Sequence, residues 1–562
     1  MKKQLVKTKV KTSIAVGVAL IAVAGVAAAA AISMAVLPPR LSVRLASTVT
    51  SATYAKGATA EMLGINLATS NGPVVVTSLT FHVLADDDAS FATVENDLLA
   101  ADFISDCSLL NASGTVVSGP EPINASGNLI FDGLAIRIGR DKSLAYKVSC
   151  DLANVTPASS DNDIFALAID SESDVVASTT SGTALTGRTL DIGTTADAGV
   201  NLNGGTVAII VMNNGGLEVS LDSSSPSSNI ILGASAEISV GVWRFVATNE
   251  AFEINKMTLI NSGDDEVADT VRLSCVNDSG DTEVSSGYLA GGTVEFAGLN
   301  CYVPKDSYAK VTALVDTNIV SSTGADSGST LQLGFSDVNF EAIGLSSGAS
   351  IGEGDLSTPE VNANEMVLYQ TKPTISLVAV SPSGMAIPGR NEVLRFRVVA
   401  DSRGEVDMHE FTFKINATDN ADNGWNNCTS DIFTKFELYD LDDTSFSLST
   451  MGGGISYLAD GTRCTAVDPS GVEAPIAYWQ IGEPTSSHPV EIAAGGVKTF
   501  ALYFDTTGAS SAEDDSVRID LPLQSEMDGL GLFGLSWRGG SSDWANGTYI
   551  KNLPIYGGTI TY

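Results

Sequence analysis

The sequence predicts an all-β protein: three tandem immunoglobulin-like β-sandwich domains that follow an N-terminal hydrophobic helix. Short segments of alternating apolar and polar residues, which are typical of half-buried strands, recur along the chain between clusters of Gly, Ser, Asn and Asp. The same order of segments occurs three times, and apolar residues at helical spacing are nearly absent after residue 40. About seven to nine short strands per repeat are typical of two packed antiparallel sheets.

Each repeat opens with an alternating strand, continues through a glycine-containing turn to a second apolar run, and then reaches a strand that ends in an acidic loop. The opening strands are Leu41–Leu45, Leu217–Leu221 and Ile375–Ala379, and the turns contain Gly57, Gly233 and Gly389. We therefore expect one sandwich in each of the ranges 41–190, 206–360 and 373–562, joined by short polar linkers near 191–205 and 357–374. Domains of this size bury a full core without a metal or a cofactor.

Residues 1–40 have a different character. Five lysines lie between Lys2 and Lys11, no further charge occurs before Arg40, and the residues between are mostly Ala, Val and Ile. This pattern is typical of an export signal, and the lysines place the following residues outside the cytoplasm. Ser33-Met34-Ala35 offers small residues to a signal peptidase, whereas the apolar stretch is long enough to span a bilayer. The segment is either a signal peptide or an N-terminal membrane anchor, and a further alternative is a helix through which pilin-like subunits assemble.

The cysteines agree with an exterior location. Six cysteines fall two per repeat, so one disulfide within each sandwich is the simplest pairing, and such bonds persist in oxidising compartments. Buried free thiols are the alternative. The predicted pairs are Cys107 with Cys150, Cys275 with Cys301, and Cys428 with Cys464.

The charge balance excludes one class of partner. The chain has 66 acidic and 30 basic residues and a formal net charge of −36. Such a surface repels the phosphate backbone, so nucleic acid is not a partner. The same surface favours solubility and attracts cations.

Acidic residues recur in the loop after the third strand of each repeat. Carboxylate oxygens are the ligands that calcium prefers, so these loops are candidate calcium sites, and the sequence indicates no cofactor besides calcium. The alternative is a solvated loop in which Asp and Asn favour turns. The candidate ligands are Asp86, Asp87, Asp88, Asp264, Asp265, Asp419 and Asp422.

Catalytic motifs are missing from the sequence. Neither a Gly-x-Ser-x-Gly elbow, a phosphate-binding loop nor a His-Glu-x-x-His helix occurs. The histidines are isolated, and His82 and His409 are expected on strand surfaces rather than as ligands. We therefore predict that the protein is not an enzyme.

One tryptophan is a candidate ligand contact. Trp425 lies among asparagines, where an exposed indole forms a platform for a sugar, although a buried Trp on a sandwich strand is the commoner role. The core is the expected location of Trp243, Trp479 and Trp537.

Several segments together resemble the immunoglobulin-like repeats of surface-layer-like exported proteins from ultra-small candidate-phyla (Patescibacteria-type) bacteria. They are Leu41-Ser-Val-Arg-Leu-Ala46, Val76-Thr-Ser-Leu-Thr-Phe81, Phe131-Asp-Gly-Leu134 and the C-terminal stretch from Asp543 to Pro554. The resemblance implies export and display on the cell surface. This chain lacks the peptidoglycan-binding segment of larger relatives.

These observations predict an extracellular or cell-surface structural protein, exported through the general secretion route, that forms a stalk, a surface layer or a filament. Its partners would be further copies of itself or other envelope components, and the membrane if residues 1–40 are retained. The alternative is an adhesin that binds surface glycans or proteins, and the pilin-like subunit is a further alternative.

Overall fold

The structure is a computed structural model, and it describes the chain from residue 37 to residue 562 with internal gaps. The gaps are 88–97, 159–162, 193–206, 381–383, 421–435, 443, 445–447, 449–454, 460–475, 482–489 and 540–543. The predicted helix within residues 1–40 lies almost wholly outside the described residues. Among the described residues, no helix has the length and apolar character needed to cross a membrane.

The first sandwich contains two sheets. One has the strand order β12-β1-β3-β9-β5-β6, and the other has the order β11-β4-β10-β13-β2, with β7 and β8 paired to β4. The strands are β1 Arg40–Leu45, β2 Ala52–Ala55, β3 Thr59–Ser70, β4 Val74–Asp86, β5 Ile104–Asn111, β6 Val116–Glu121, β7 Asn128–Phe131, β8 Ile136–Ile138, β9 Ser143–Leu152, β10 Asp163–Ala168, β11 Val175–Thr179, β12 Leu190–Asp191 and β13 Ile209–Met212. A one-turn helix, α1 Ala100–Phe103, precedes β5, and 3-10 turns occur at Glu172–Asp174 and Gly187–Thr189.

The second sandwich has one sheet of order β14-β16-β21-β18-β19, and the strands opposite form the sets β20-β17-β23-β24 with β25, and β15-β26-β22. The strands are β14 Gly216–Leu221, β15 Asn229–Leu232, β16 Ile238–Thr248, β17 Phe252–Asn261, β18 Ala268–Val276, β19 Thr282–Gly287, β20 Thr293–Val303, β21 Tyr308–Thr317, β22 Thr330–Leu331, β23 Leu333–Gly344, β24 Ser350–Ile351, β25 Glu360–Asn362 and β26 Met366–Tyr369. A 3-10 turn at Asp265–Val267 leads into β18.

The third sandwich pairs a sheet of order β27-β29-β35-β31 with a larger sheet around β30 and β36. The strands are β27 Pro373–Leu377, β28 Gly384–Met385, β29 Arg390–Ala400, β30 Val406–Thr418, β31 Phe436–Asp440, β32 Ile455–Leu458, β33 Ile476–Ile481, β34 Val490–Ile492, β35 Val497–Asp505, β36 Ser516–Leu521, β37 Leu535–Arg538, β38 Ala545–Asn546, β39 Ile555–Tyr556 and β40 Ile560–Thr561. A short helix, α2 Gln524–Asp528, lies between β36 and β37.

Strands make up nearly all of the regular structure in the described residues, which confirms the predicted all-β architecture, and the first sheets of the three sandwiches share one strand order. The first sheet of each contains the same sequence of neighbours: β1-β3-β9-β5, β14-β16-β21-β18 and β27-β29-β35-β31. The predicted opening strands correspond to β1, β14 and β27, displaced by at most two residues at either end.

The last strand of each sandwich pairs in parallel with the second. These pairs are β13 with β2, β26 with β15, and β40 with β28. β13 lies within the range predicted for the second sandwich, yet it completes a sheet of the first, and β26 lies beyond residue 360 in a predicted linker. Strand pairing therefore leaves only residues 213–215 and 370–372 between consecutive sandwiches.

Apolar side chains from both sheets fill one core in each sandwich. Along β1, for example, Leu41 and Val43 point inward and are fully buried, as the alternating pattern predicts. Burial of one such aliphatic side chain contributes about 1.5–3 kcal/mol of transfer free energy. Trp243, Trp479 and Trp537 are also fully buried, which confirms their predicted place in the core.

Candidate functional site at the junctions between sandwiches

The acidic loop of the second sandwich uses its carboxylates to hold the loop together. Asp264 Oδ2 accepts a hydrogen bond from the Thr330 amide at 3.0 Å. Asp265 accepts from Asn261 Nδ2 at 3.0 Å and from the Gly292 amide at 2.7 Å. Carboxylate oxygens engaged in this way already have partners, which agrees with the turn-forming interpretation.

The other candidate calcium ligands that the structure describes belong to two separate loops, with Asp87 directly after β4. Asp86 ends β4 and is buried, and Asp419 follows directly after β30. In the described ranges, no group of three or more His, Cys, Asp or Glu side chains is arranged to hold a metal ion. Asp88 and Asp422 lie outside the described residues, as does the candidate ligand contact Trp425.

Two of the predicted cysteine pairs are bonded in the structure, and they occupy different places in the fold. Cys107 and Cys150 face each other on neighbouring strands, β5 and β9, of one sheet. Cys275 on β18 and Cys301 on β20 join strands of different sheets. The third pair, Cys428 and Cys464, lies outside the described residues.

The two described histidines have structural contacts. His82 Nε2 lies 3.2 Å from Asp174 Oδ1 and retains partial exposure on β4. The expectation that His409 lies on a strand surface is wrong: it is buried and stacks on Trp544 at 4.5 Å between ring centroids. Burial, followed by the nearby Arg538 charge, lowers the pKa of His409. Ser536 Oγ lies 3.4 Å from its Nδ1, but both side chains are buried, so a substrate has no access to this pair.

The junction between the first and second sandwiches combines a cation–aromatic contact with a polar contact. Lys305 Nζ, in the turn before β21, lies 3.6 Å from the centroid of the Tyr54 ring on β2. Burial at this contact lowers the pKa of Lys305. Asn249 Nδ2 also reaches Met212 Sδ at 3.2 Å, so residues on both sides of the linker contact each other.

A buried carboxylate fixes the linker itself. Glu250 is fully buried in the turn between β16 and β17. Its Oε1 accepts from the Gly215 amide at 2.6 Å and from Ser347 Oγ at 2.8 Å, and its Oε2 accepts from the Ser346 and Ser347 amides at 3.1 and 2.9 Å. A buried charge is tolerated only when it is hydrogen-bonded, and four donors meet that condition here.

The backbones of the two sandwiches also approach closely at Gly57. This residue has a φ of +75°, and a Cβ atom there would lie 2.2 Å from the Ser346 carbonyl oxygen. Glycine is therefore required at this position for two reasons: it tolerates the left-handed conformation, and it leaves room for the neighbouring backbone.

The second junction is built mainly from aromatic residues. Tyr369, which ends β26, packs on Trp537 of the third sandwich at 4.9 Å between ring centroids. Ile230 of β15 joins the apolar core of the third sandwich. Tyr549 Oη donates to Glu365 Oε1 at 2.7 Å, and desolvation together with this bond raises the pKa of Tyr549 to about 12.

An arginine completes the second junction. Arg403, in the turn between β29 and β30, donates to the Gly233 carbonyl at 2.9 Å and also contacts Ser235 Oγ. Gly57 and Gly233, the predicted turn residues of the first two sandwiches, thus both contact the following sandwich. Glu250, Lys305 and Arg403 could not be predicted from the sequence, because a single charged residue that makes a junction contact has the same local sequence pattern as one in a solvated turn.

No family model matches this chain, and no curated protein matches it in sequence. Among solved structures, a candidate membrane-anchored protein of Corynebacterium diphtheriae is similar at 8% identity and a TM-score of 0.19, covering 93% of this chain and 90% of its own. The C-terminal domain of the Streptococcus agalactiae AgI/II polypeptide BspA is similar at 9% identity and a TM-score of 0.16, covering 62% and 100%. The major pilin subunit of Bacillus cereus is similar at 9% identity and a TM-score of 0.13, covering 92% and 95%. Likeness at this level carries no conclusion about function.

Proposed function

We propose that this chain is an exported cell-surface structural protein without catalytic activity, in which three sandwiches in series form a stalk, a surface-layer subunit or a filament subunit. The observation that carries the proposal is the construction of the two junctions. Each linker has three residues between the flanking strands, and buried polar and aromatic contacts hold the sandwiches on either side. Flexible linkers would instead be longer and rich in Gly and Ser.

Location is the second part of the proposal. The lysine-rich start, the apolar stretch after it, the disulfides and the strongly acidic composition all suit an exterior protein. Whether residues 1–40 act as a removable signal peptide or as an anchor decides how the protein is attached. N-terminal sequencing of the exported product separates these possibilities.

Labelling of intact cells tests the proposed location. A membrane-impermeant amine reagent should modify exposed lysines of this chain, such as Lys551, while a cytoplasmic control protein in the same cells stays unlabelled. Labelling that appears only after cell lysis would contradict surface display.

An adhesin is a second candidate, and the edge strands favour it. β6 and β19 are the outermost strands of equivalent sheets, and Val116, Val117 and Val284 on them are 55%, 40% and 57% exposed. An exposed sheet edge accepts an extended peptide as an additional strand, so the expected ligand is a protein segment. If the chain binds a component of cell-surface extracts and Val284→Lys abolishes that binding, the result would support this function. Unchanged binding would show that the β19 edge is not the binding site.

Calcium binding is part of the proposal only for the first and third acidic loops, whose Asp88 and Asp422 lie outside the described residues. Millimolar calcium should then raise the midpoint of thermal unfolding, because a ligand that binds the native state stabilises it. An unchanged midpoint would remove calcium from the proposal.

A further inference from the structure

The far end of the third sandwich exposes two large apolar side chains in one turn. Met385, the last residue of β28, is 80% exposed, and Ile387 in the following turn is 85% exposed. Solvent exposure of two large aliphatic side chains in one turn indicates a contact surface rather than a solvated loop.

This turn is equivalent to the turns that hold the next sandwich at both internal junctions. The amide after the second strand donates to the last strand in all three sandwiches: Lys56 to Met212 at 2.8 Å, Gly233 to Tyr369 at 3.0 Å, and Ala386 to Thr561 at 2.9 Å. Met385 therefore corresponds to Leu232, which packs against the core of the third sandwich. In the third sandwich, the same position has no described neighbour to cover it.

The near end of the first sandwich has the complementary construction. Asn71 donates its amide to Asp141 Oδ1 at 3.1 Å, and Asn249 donates its amide to Asp306 Oδ1 at 2.9 Å. Arg140 and Lys305 precede these aspartates, so they are equivalent. Lys305 covers Tyr54 of the preceding sandwich, whereas the Arg140 side chain is 69% exposed.

The charges of the two ends also match. Glu513 and Asp514 are exposed in the loop between β35 and β36, and the adjacent Asp515 carbonyl accepts from the Tyr562 amide beside β40. At the near end of the first sandwich, Arg140 and Lys142 are exposed in one turn together with Asp141, which pairs with Arg140, so this turn carries one net positive charge. Opposite charges on two surfaces steer them together and disfavour contact between two copies of the same end.

We propose that the far end of the third sandwich binds the near end of the first sandwich of a second copy of this chain, as each sandwich binds its successor within the chain. This inference rests on the proposed structural function and names its partner and its surfaces. Because the two surfaces differ, the contact is heterologous, and repetition builds an open filament unless the rotation per subunit closes a ring. Pro39 lies beside Gly72 at the same near end, so the proposal applies to the form from which the export segment has been removed.

The experiment uses the exported, purified full chain and measures its mass by size-exclusion chromatography with light scattering over a range of concentrations. The unchanged chain should form a concentration-dependent series of oligomers. Ile387→Asp and Arg140→Glu should each weaken association by about tenfold or more, as expected for central interface residues. Thermal unfolding of each variant checks that its sandwiches remain folded.

Mixing the two variants is the decisive step. Each variant retains one intact end, so an equimolar mixture should form dimers but no longer species. Tyr288→Asp is the matched control, because Tyr288 is 71% exposed but lies between β19 and β20 on the flank of the second sandwich, and it should associate like the unchanged chain.

Three results would overturn the inference: an unchanged chain that is monomeric at every concentration, variants that associate as well as the unchanged chain, or an exported product that retains residues 1–36. The surface-labelling experiment keeps this outcome separate from the proposed function. If the chain is labelled on intact cells but stays monomeric, the head-to-tail contact is wrong and the proposed surface display is still supported.

Discussion

Two single residues at the first junction, Glu250 and Gly57, can be replaced less freely than their neighbours in the sequence. Glu250 is an acid whose two oxygens face four donors in the absence of solvent, and Gly57 is a glycine with another backbone at the place of its missing side chain. Both lie in turns, where most substitutions are tolerated. Substitution at these two positions therefore tests whether the junctions are specific interfaces.

Replacement of Glu250 by glutamine should destabilise the second sandwich and loosen its linker. One oxygen becomes an amide group that faces backbone or hydroxyl donors, so at least one donor loses its acceptor, at a cost of about 1–3 kcal/mol. Urea unfolding measures the loss. Glu218→Gln on the exposed face of β14 is the control and should change stability little, and an equal effect of both variants would contradict the role of Glu250.

Replacement of Gly57 by alanine should open the first junction. Gly127 offers a matched control, since its φ is also +75° but the nearest atom to a Cβ there is 3.9 Å away. Both variants carry the same left-handed strain of about 1 kcal/mol, and only Gly57→Ala adds a collision with Ser346. Limited proteolysis at residues 213–215 should accelerate in Gly57→Ala alone, and equal acceleration in both would contradict a close junction.

Tyr549 makes the second junction sensitive to alkaline pH. Its pKa is raised from 10.0 to about 12 in the folded chain, so the protonated phenol is favoured by folding. This contribution is complete below pH 10, declines as pH rises from there, and is lost above about 12. The free energy of unfolding, measured between pH 9 and pH 12, should show this decline. The decline should be smaller in Tyr549→Phe. A profile unchanged by the substitution would assign the alkaline transition to other groups.

At the scale of strands, alternation was a reliable guide where one face is buried against a core. It predicted β1, β14 and β27 to within two residues. It missed β13 and β26 as closing strands, because these four-residue segments pair with partners more than a hundred residues earlier, which no local pattern encodes. The prediction for His409 is wrong for a related reason: both faces of β30 are covered around this residue, so this part of the strand has no solvent-facing row.

The disulfides connect strands in two ways, yet their contributions should be similar. Their sequence separations are 43 and 26 residues, and the entropy of loop closure varies only with the logarithm of loop length. Replacing both members of either pair with serine should therefore cost about 2–4 kcal/mol in its own sandwich. Denaturation of the two double variants measures this loss, with the oxidised unchanged chain as reference. A negligible loss in one variant would show that packing alone holds that sandwich.

At the scale of the whole molecule, contacts at the two junctions connect three sandwiches that each have their own core. β26 occupies part of the predicted linker 357–374, and β13, which follows the predicted linker 191–205, closes the first sandwich rather than opening the second. What remains is too short to let neighbouring sandwiches separate by much, so even modest contacts at each junction are formed at high effective concentration.

Lengthening a linker tests this coupling without changing any contact residue. An insertion of Gly-Ser repeats after Asn214 should lower the effective concentration of the first sandwich at the second, and contacts such as Lys305 with Tyr54 should then open part of the time. Small-angle scattering should report a wider distribution of dimensions, while each sandwich unfolds at its former midpoint. The same insertion at Gly114, an exposed turn with open space around it, is the control and should leave the scattering profile close to that of the unchanged chain. If the Asn214 insertion also leaves the profile unchanged, the contacts themselves and not the linker length hold the junction, and the loss on substitution of Glu250 should then be correspondingly larger.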